Sequence, residues 1–245
     1  MLSQNRRDDE LLQTLSSEFS AKGVRPASGK LTGLKLASGI EVLDDFLDGG
    51  LPRGAVTEWG APLGRGGRDA LLAWLARATQ GAPPARPGGV EAADSAPSWA
   101  LWVYGRTHLS IYPPAWLARG VSLQRMRFAC SSKPLAELRP VFMDPLFRVI
   151  VLDAPRTFTD EDCAFVARQA RANDQAVVLI RDAFIGPGRG NVWAKLRLNC
   201  WFEPAQQQYR LRVIRGLSPR QLALTEAELA QAYLENGDAA CGQGG

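Results

Sequence analysis

The residues best placed to do chemistry lie in one short stretch, GAPLGRGGRD over 60–69, where glycines crowd together beside two arginines. A working phosphate loop reads GxxxxGK[ST]: its backbone N–H groups cradle phosphates, its lysine reaches the β and γ groups, and its hydroxyl holds Mg²⁺. Two registers fit this chain. With one inserted residue, Gly66 takes the second glycine place, Gly67 the lysine place and Arg68 the hydroxyl place. Without it, Arg65, Gly66 and Gly67 occupy those places. In either register both the lysine and the hydroxyl are missing. The candidate anion loop is therefore Gly60, Gly64, Arg65, Gly66, Gly67 and Arg68, with weak anion binding as its ceiling, because a planar guanidinium neither replaces a threaded lysine nor ligates Mg²⁺.

A second candidate is Asp153, which ends the apolar run Val149, Ile150, Val151, Leu152. That is the place and type of a Walker B carboxylate, and equally of a carboxylate capping a strand end. The neighbouring segment WALWVYGRTH offers Tyr104, Gly105, Arg106 and Thr107 where a water-activating carboxylate is needed, so no general base is visible. His108, the one histidine, has no GxSxG or comparable setting. Cys130, Cys163, Cys200 and Cys241 are widely spaced without a CxxC pair, which reads as reduced core or tail thiols and no metal site. In AFIGPGRGNVWAK, Phe184, Arg189, Trp193 and Lys195 set aromatics beside cations in a glycine-rich turn, which suits stacking on bases and pairing with phosphates as well as a plain surface connection.

The elements that must hold these groups follow from periodicity. AVTEW at 55–59, the glycine loop and Ala70, Leu71, Trp74, Leu75 and Ala78 at helical spacing give strand, loop, helix. Ile40, Leu43, Phe46 and Leu47 mark a helix before them, stopped at Gly49-Gly50. Continuous apolar runs at 99–104, 126–130, 147–153 and 176–182 read as strands buried on both faces, hence a parallel sheet. Helices are expected near 113–119 and over 160–172, where Thr159 caps and Cys163, Val166, Ala167 and Ala170 face inward. KLRLNCWFEP and YRLRVIRG, alternating arginine with apolar residues around AQQQ, form an antiparallel hairpin with one wet face. The fold class is α/β: a doubly wound, mostly parallel sheet with helices on both faces, a hairpin near the C-terminus and a short N-terminal helix. The domain reading is an N-terminal amphipathic helix and linker over 1–30, a core over 31–216 with a mobile insertion at 81–98, and a C-terminal helix and tail over 217–245.

With 245 residues, 46% of them hydrophobic, the chain suits one such domain. A balance of 29 Lys+Arg to 25 Asp+Glu keeps a nucleic-acid surface open without demanding one. No run of about 18 uncharged apolar residues occurs and none follows the N-terminal arginines, so a soluble, cytoplasmic protein with no membrane contact is expected. Leu11, Leu12, Leu15 and Phe19 share one face of the N-terminal helix, and Leu12, Leu15 and Phe19 are the anchors proposed for a partner's surface or the chain's own core.

The ordered series SGIEVLDDFLDGGLPRGAVTEWG, YPPAWLARGVSLQRMRFACS, FRVIVLDAP and AVVLIRD resembles the core of the RecA superfamily from about Ala37 to Arg215. Within it, the chain is similar to the ImuA family, often labelled SulA-like, of accessory proteins in inducible mutagenesis. The resemblance implies a RecA-like fold, a sensor position near Asp182, a second DNA-binding loop at 184–195 and little room for a first after Asp153. It implies an ImuB-like polymerase-related partner, an error-prone DNA polymerase and RecA as partners, with DNA as a further contact, near the nucleoid and within the SOS response. Joined to the emptied loop, it leads to a non-catalytic adaptor in translesion synthesis, without a cofactor. A divergent ATPase using ATP and Mg²⁺, or a SulA-type cell-division inhibitor, are the alternative readings.

Overall fold

A computed structural model describes residues 33–81, 96–105, 111–155, 157–188 and 190–230. The N-terminal segment with Leu12, Leu15 and Phe19, most of the insertion, His108, Arg189 and the chain beyond 230 lie outside the described residues.

Strands Lys35–Leu36 (β1) and Leu51–Pro52 (β2) pair antiparallel around helix Glu41–Phe46 (α1). Ala55–Gly60 (β3) then leads through the loop and a 3₁₀ turn, Asp69–Leu71, into Leu72–Gln80 (α2). Next come Trp99–Tyr104 (β4), Pro113–Leu117 (α3), Met126–Cys130 (β5), Pro134–Glu137 (α4) and Arg139–Met143 (α5). Phe147–Asp153 (β6), Asp160–Asn173 (α6), Ala176–Arg181 (β7), Ala194–Glu203 (β8), Gln208–Arg215 (β9) and Gln221–Thr225 (β10) complete the series.

Among the described residues, β3 to β10 form one sheet in the order β10-β9-β8-β3-β7-β6-β4-β5. From β8 to β5 every pairing is parallel; β8, β9 and β10 continue it antiparallel. This is a mixed α/β fold whose central sheet is mostly parallel. Parallel strands are covered on both faces, which explains why β4, β6 and β7 read as largely apolar runs. One face packs Trp59, Trp74, Leu71, Trp102 and Leu198 beneath α1 and α2, with Trp59 and Trp74 edge to face at 5.8 Å. The other packs Phe142, Ile150, Phe165, Val166 and Leu179 beneath α5 and α6. Each such side chain, fully buried, contributes on the order of 1.5–3 kcal/mol.

Local signals explain the best-defined helix. Thr159 caps α6 by accepting the Asp162 N–H at 3.2 Å while the Asp162 carboxylate accepts the Thr159 N–H at 2.9 Å. Cys163, Val166 and Ala170 are buried along it and Ala167 is half-buried. The helix ends at Asp174, whose left-handed backbone (φ 54°) turns the chain toward β7, and Arg53 and Arg148 pair with its carboxylate.

Three features differ from the sequence reading. The antiparallel ending is a three-stranded meander rather than a hairpin, because β10 adds to β9. Leu222 and Leu224, two residues apart, lay down against the main core, so the sheet runs past residue 216 into the segment expected as an appendage. Thr225 then caps residues 226–230, which are helical, through reciprocal bonds with Glu228. The segment 134–143 holds two short helices, broken at Leu138, each with proline in its first turn. Finally, β1 and β2 form a small separate ladder that two-residue strands cannot announce by periodicity.

Candidate functional site

The glycine loop leaves β3 at the carboxyl end of the parallel strands, where the chain crosses over β7 and β6 to reach β4, while β8 returns on the other side of β3. Ligand crevices in open α/β sheets form at such points, because adjacent loops diverge in opposite directions. The loop is tied down on every side. The Ala61 N–H donates to the Arg181 carbonyl (2.9 Å), the Leu63 N–H to the Asp182 carboxylate, and the Phe202 N–H to the Arg65 carbonyl (2.6 Å). The buried Trp59 indole donates to the Gly67 carbonyl at 3.0 Å.

Gly67 is glycine for a reason unrelated to phosphate: a Cβ there would stand 2.0 Å from the Cys200 carbonyl oxygen on β8. Gly66 lies against the Phe202 side chain, and Gly60 is the last residue of β3, beside Asn199. Gly64, with φ +75° and open space around it, is the turn at the exposed tip. Arg65 is exposed there.

Arg68 is the centre of the site. Its Nε donates to Asp153 Oδ1 at 2.9 Å and its Nη1 to the Ala61 carbonyl at 2.6 Å, while Nη2 lies 3.7 Å from the half-exposed Asp182. Asp153 ends β6 with its side chain 2% exposed. Burial pushes its carboxyl above the ordinary carboxylate value, and the Arg68 charge and hydrogen bond oppose that shift without cancelling it. Of the two arginines in the loop, the fold delivers Arg68 to the buried carboxylate, 85 positions away in sequence. Beside them opens a cleft of about 180 Å³ walled by Leu72, Trp102 and Trp116, with Asp69 at its rim. Asp69 pairs with Arg119 at 3.6 Å. As chemistry, the arrangement is a carboxylate neutralised by a tethered cation.

The candidate nucleic-acid residues do not form one cluster. The chain from 182 to 193 runs back across the sheet face from the carboxyl end of β7 to the start of β8. Phe184 lies at the level of Gly60, edge to face with Trp201 at 5.6 Å. Trp193 precedes Ala194, which is level with Val56, roughly 13 Å along the strand direction. It lines a separate cleft of about 440 Å³ with Phe165, Arg139 and Arg168. Lys195 is exposed near Lys35 and Gly33, away from Phe184.

Sequence reasoning passed over Glu58. It is buried in β3 at 1% exposure, with Arg181 at 2.8 Å, Arg197 at 2.9 Å and the Asn191 N–H at 3.0 Å. Together with the paired bonds between Asn199 and the Ile185 backbone, this cluster staples the 182–193 segment to the sheet. The available signal was a glutamate inside an otherwise buried strand, since a buried carboxylate requires cationic partners.

Among the described residues, no group of three or more His, Cys, Asp or Glu could hold a metal ion, and no helix is long and apolar enough to cross a membrane. Neither a protein-family model nor a curated protein sequence matches the chain.

Proposed function

We propose that this chain is a RecA-like adaptor of the ImuA type that binds rather than catalyses. On this reading it acts in SOS-induced translesion DNA synthesis, near the nucleoid, by joining an ImuB-like polymerase-related protein, an error-prone DNA polymerase and RecA.

The observation that carries the non-catalytic half is the Arg68–Asp153 contact. In a working phosphate loop the hydroxyl residue and the Walker B carboxylate share one magnesium shell, so they must stand close together. Arg68, in the hydroxyl place of the register with one inserted residue, stands 2.9 Å from Asp153. That supports both the RecA-type alignment and the loss of its reaction, because a guanidinium now holds the charge a metal would bring. The donor set does not fit magnesium-ATP: the carboxylate is engaged, the hydroxyl is gone and no lysine is in the loop. A fold kept while its reaction is abandoned is a rigid platform for partners.

Two experiments test the halves separately. Calorimetry of the full chain with millimolar ATP and Mg²⁺ is expected to show no binding heat; ATP turnover abolished by Asp153→Ala would overturn the non-catalytic reading. Affinity purification from DNA-damaged cells is expected to recover the polymerase-related partner with the full chain and lose it on deletion of residues 1–24. Recovery of no polymerase-related protein, or equal recovery by both chains, would overturn the proposed partner contact.

A further inference from the structure

The meander of β8, β9 and β10 has one face in the core and one that is covered only over part of β8. Tyr209, Leu211 and Val213 of β9 and Leu224 of β10 are buried on the core side. Their neighbours Arg210, Arg212, Gln221 and Ala223 point the other way, since successive side chains alternate across a strand. On that side the 182–193 segment covers Arg197 and Asn199 of β8, whereas no apolar residue of β9 or β10 belongs to the core there.

Cross-strand register places Trp201 opposite Arg210 and Asn199 opposite Arg212; a register shift between Arg197 and Leu198 then breaks the simple alternation after Val213 and sets Arg215 opposite Arg197. Phe184, 53% exposed, leans edge-on against Trp201. Arg212 and Arg215 are exposed, and among the described residues no carboxylate pairs with them or with Arg210, which bonds to the Gln206 amide. Glu203, at the end of β8, lies on this face by strand alternation. An aromatic pair thus stands beside a stripe of guanidiniums that, among the described residues, have no carboxylate partner.

We infer that this face, built from Phe184, Trp201, Arg210, Arg212 and Arg215, is a binding site for single-stranded nucleic acid. Residues two apart on a strand are about 6.6 Å apart, close to the phosphate repeat of an extended single strand. Guanidiniums pair phosphates in a fork geometry, and an exposed aromatic offers a base a stacking surface whatever the sequence. An acidic polypeptide would use the arginines but has no need of the Phe184 ring, which favours nucleic acid as the occupant. The inference does not rest on the adaptor reading, because none of these residues belongs to the Arg68–Asp153 site, and either can fail alone.

The test is fluorescence anisotropy of a labelled oligothymidylate with the full chain across a salt series, with a duplex and poly-glutamate as competitors. Binding is expected to fall steeply with salt. Replacing Arg210, Arg212 and Arg215 by Ala is expected to flatten the log K against log salt slope by about 2, at roughly 0.7 per phosphate. Phe184→Ala is expected to weaken binding about tenfold with the slope unchanged. Lys195→Ala is expected to change little. Arg212→Glu, a single exposed change, serves if the triple variant melts early. The inference is overturned if wild type does not bind at low salt, or if folded triple and Arg212→Glu variants bind as wild type does. It is also overturned if poly-glutamate displaces the oligonucleotide while Phe184→Ala has no effect, which would assign the face to an acidic polypeptide.

Discussion

Replacing Arg68 by Ala strands a carboxylate. Asp153 is 2% exposed at the side chain and Arg68 14%, so solvent does little to screen their 2.9 Å contact. Removing one partner of a buried pair costs about 3–5 kcal/mol, chiefly because the other charge stays buried alone. The lower end applies here: Asp153 already has its carboxyl raised by burial, and without Arg68 it escapes part of the penalty by taking a proton. The Asp182 contact, at 3.7 Å to a half-exposed group, adds little. Arg68→Ala is therefore expected to lose about 3 kcal/mol at neutral pH, which moves the urea midpoint by about 1 M for a slope near 3 kcal/mol/M. The pH dependence has a definite sign. A carboxyl whose folded value is raised favours folding most when protonated, so the variant's deficit is largest at neutral pH and shrinks as pH falls through that raised value. Arg68→Ala combined with Asp153→Ala is expected to recover most of the loss, since no charge is then left buried. Urea melts at several pH values measure all three quantities. A loss under about 0.5 kcal/mol, a deficit that grows in acid, or a double variant no more stable than Arg68→Ala would refute the reasoning.

Three further expectations follow from the same physics. In a Cys241→Ser background, a disulfide reagent at pH 8 is expected to label Cys130 in the folded protein and to reach Cys163 and Cys200 only on unfolding. Cys130 is exposed, whereas burial pushes the Cys163 thiol up to about 11 and raises that of Cys200 as well, leaving Cys163 about one part in a thousand thiolate. Glu58→Gln is expected to cost about 3 kcal/mol and to speed hydrogen exchange at the Asn191 amide, because Arg181 and Arg197 lose their common anion; unchanged exchange there would argue against the staple. Thr159→Ala is expected to cost about 1 kcal/mol in chemical denaturation through loss of the α6 cap, with Thr159→Ser nearly neutral.

What the sequence by itself determined is whatever depends on neighbours along the chain. Apolar runs marked β4, β5 and β6 to the residue, and β7 to within one; two-sided burial explains β4, β6 and β7, whereas β5 is the sheet edge, with Arg127 and Cys130 exposed rather than buried. Thr159 with Asp162 three positions on was enough to start α6. The same local logic was blind at β10, where five residues leave period two and the onset of a helix hard to tell apart.

Only the tertiary structure decided what the site is. The loop's two registers were equal in sequence, and the choice between Arg65 and Arg68 fell to packing: Phe202 and Cys200 of β8 hold Gly66 and Gly67 so that Arg68 turns inward to Asp153. Glu58 and Arg197 lie 139 positions apart, and the arginines of β9 gained a common open face only once register was set against β8. Charge pairing, close backbone approach and strand register are properties of groups far apart in sequence, so they come into being when the chain folds.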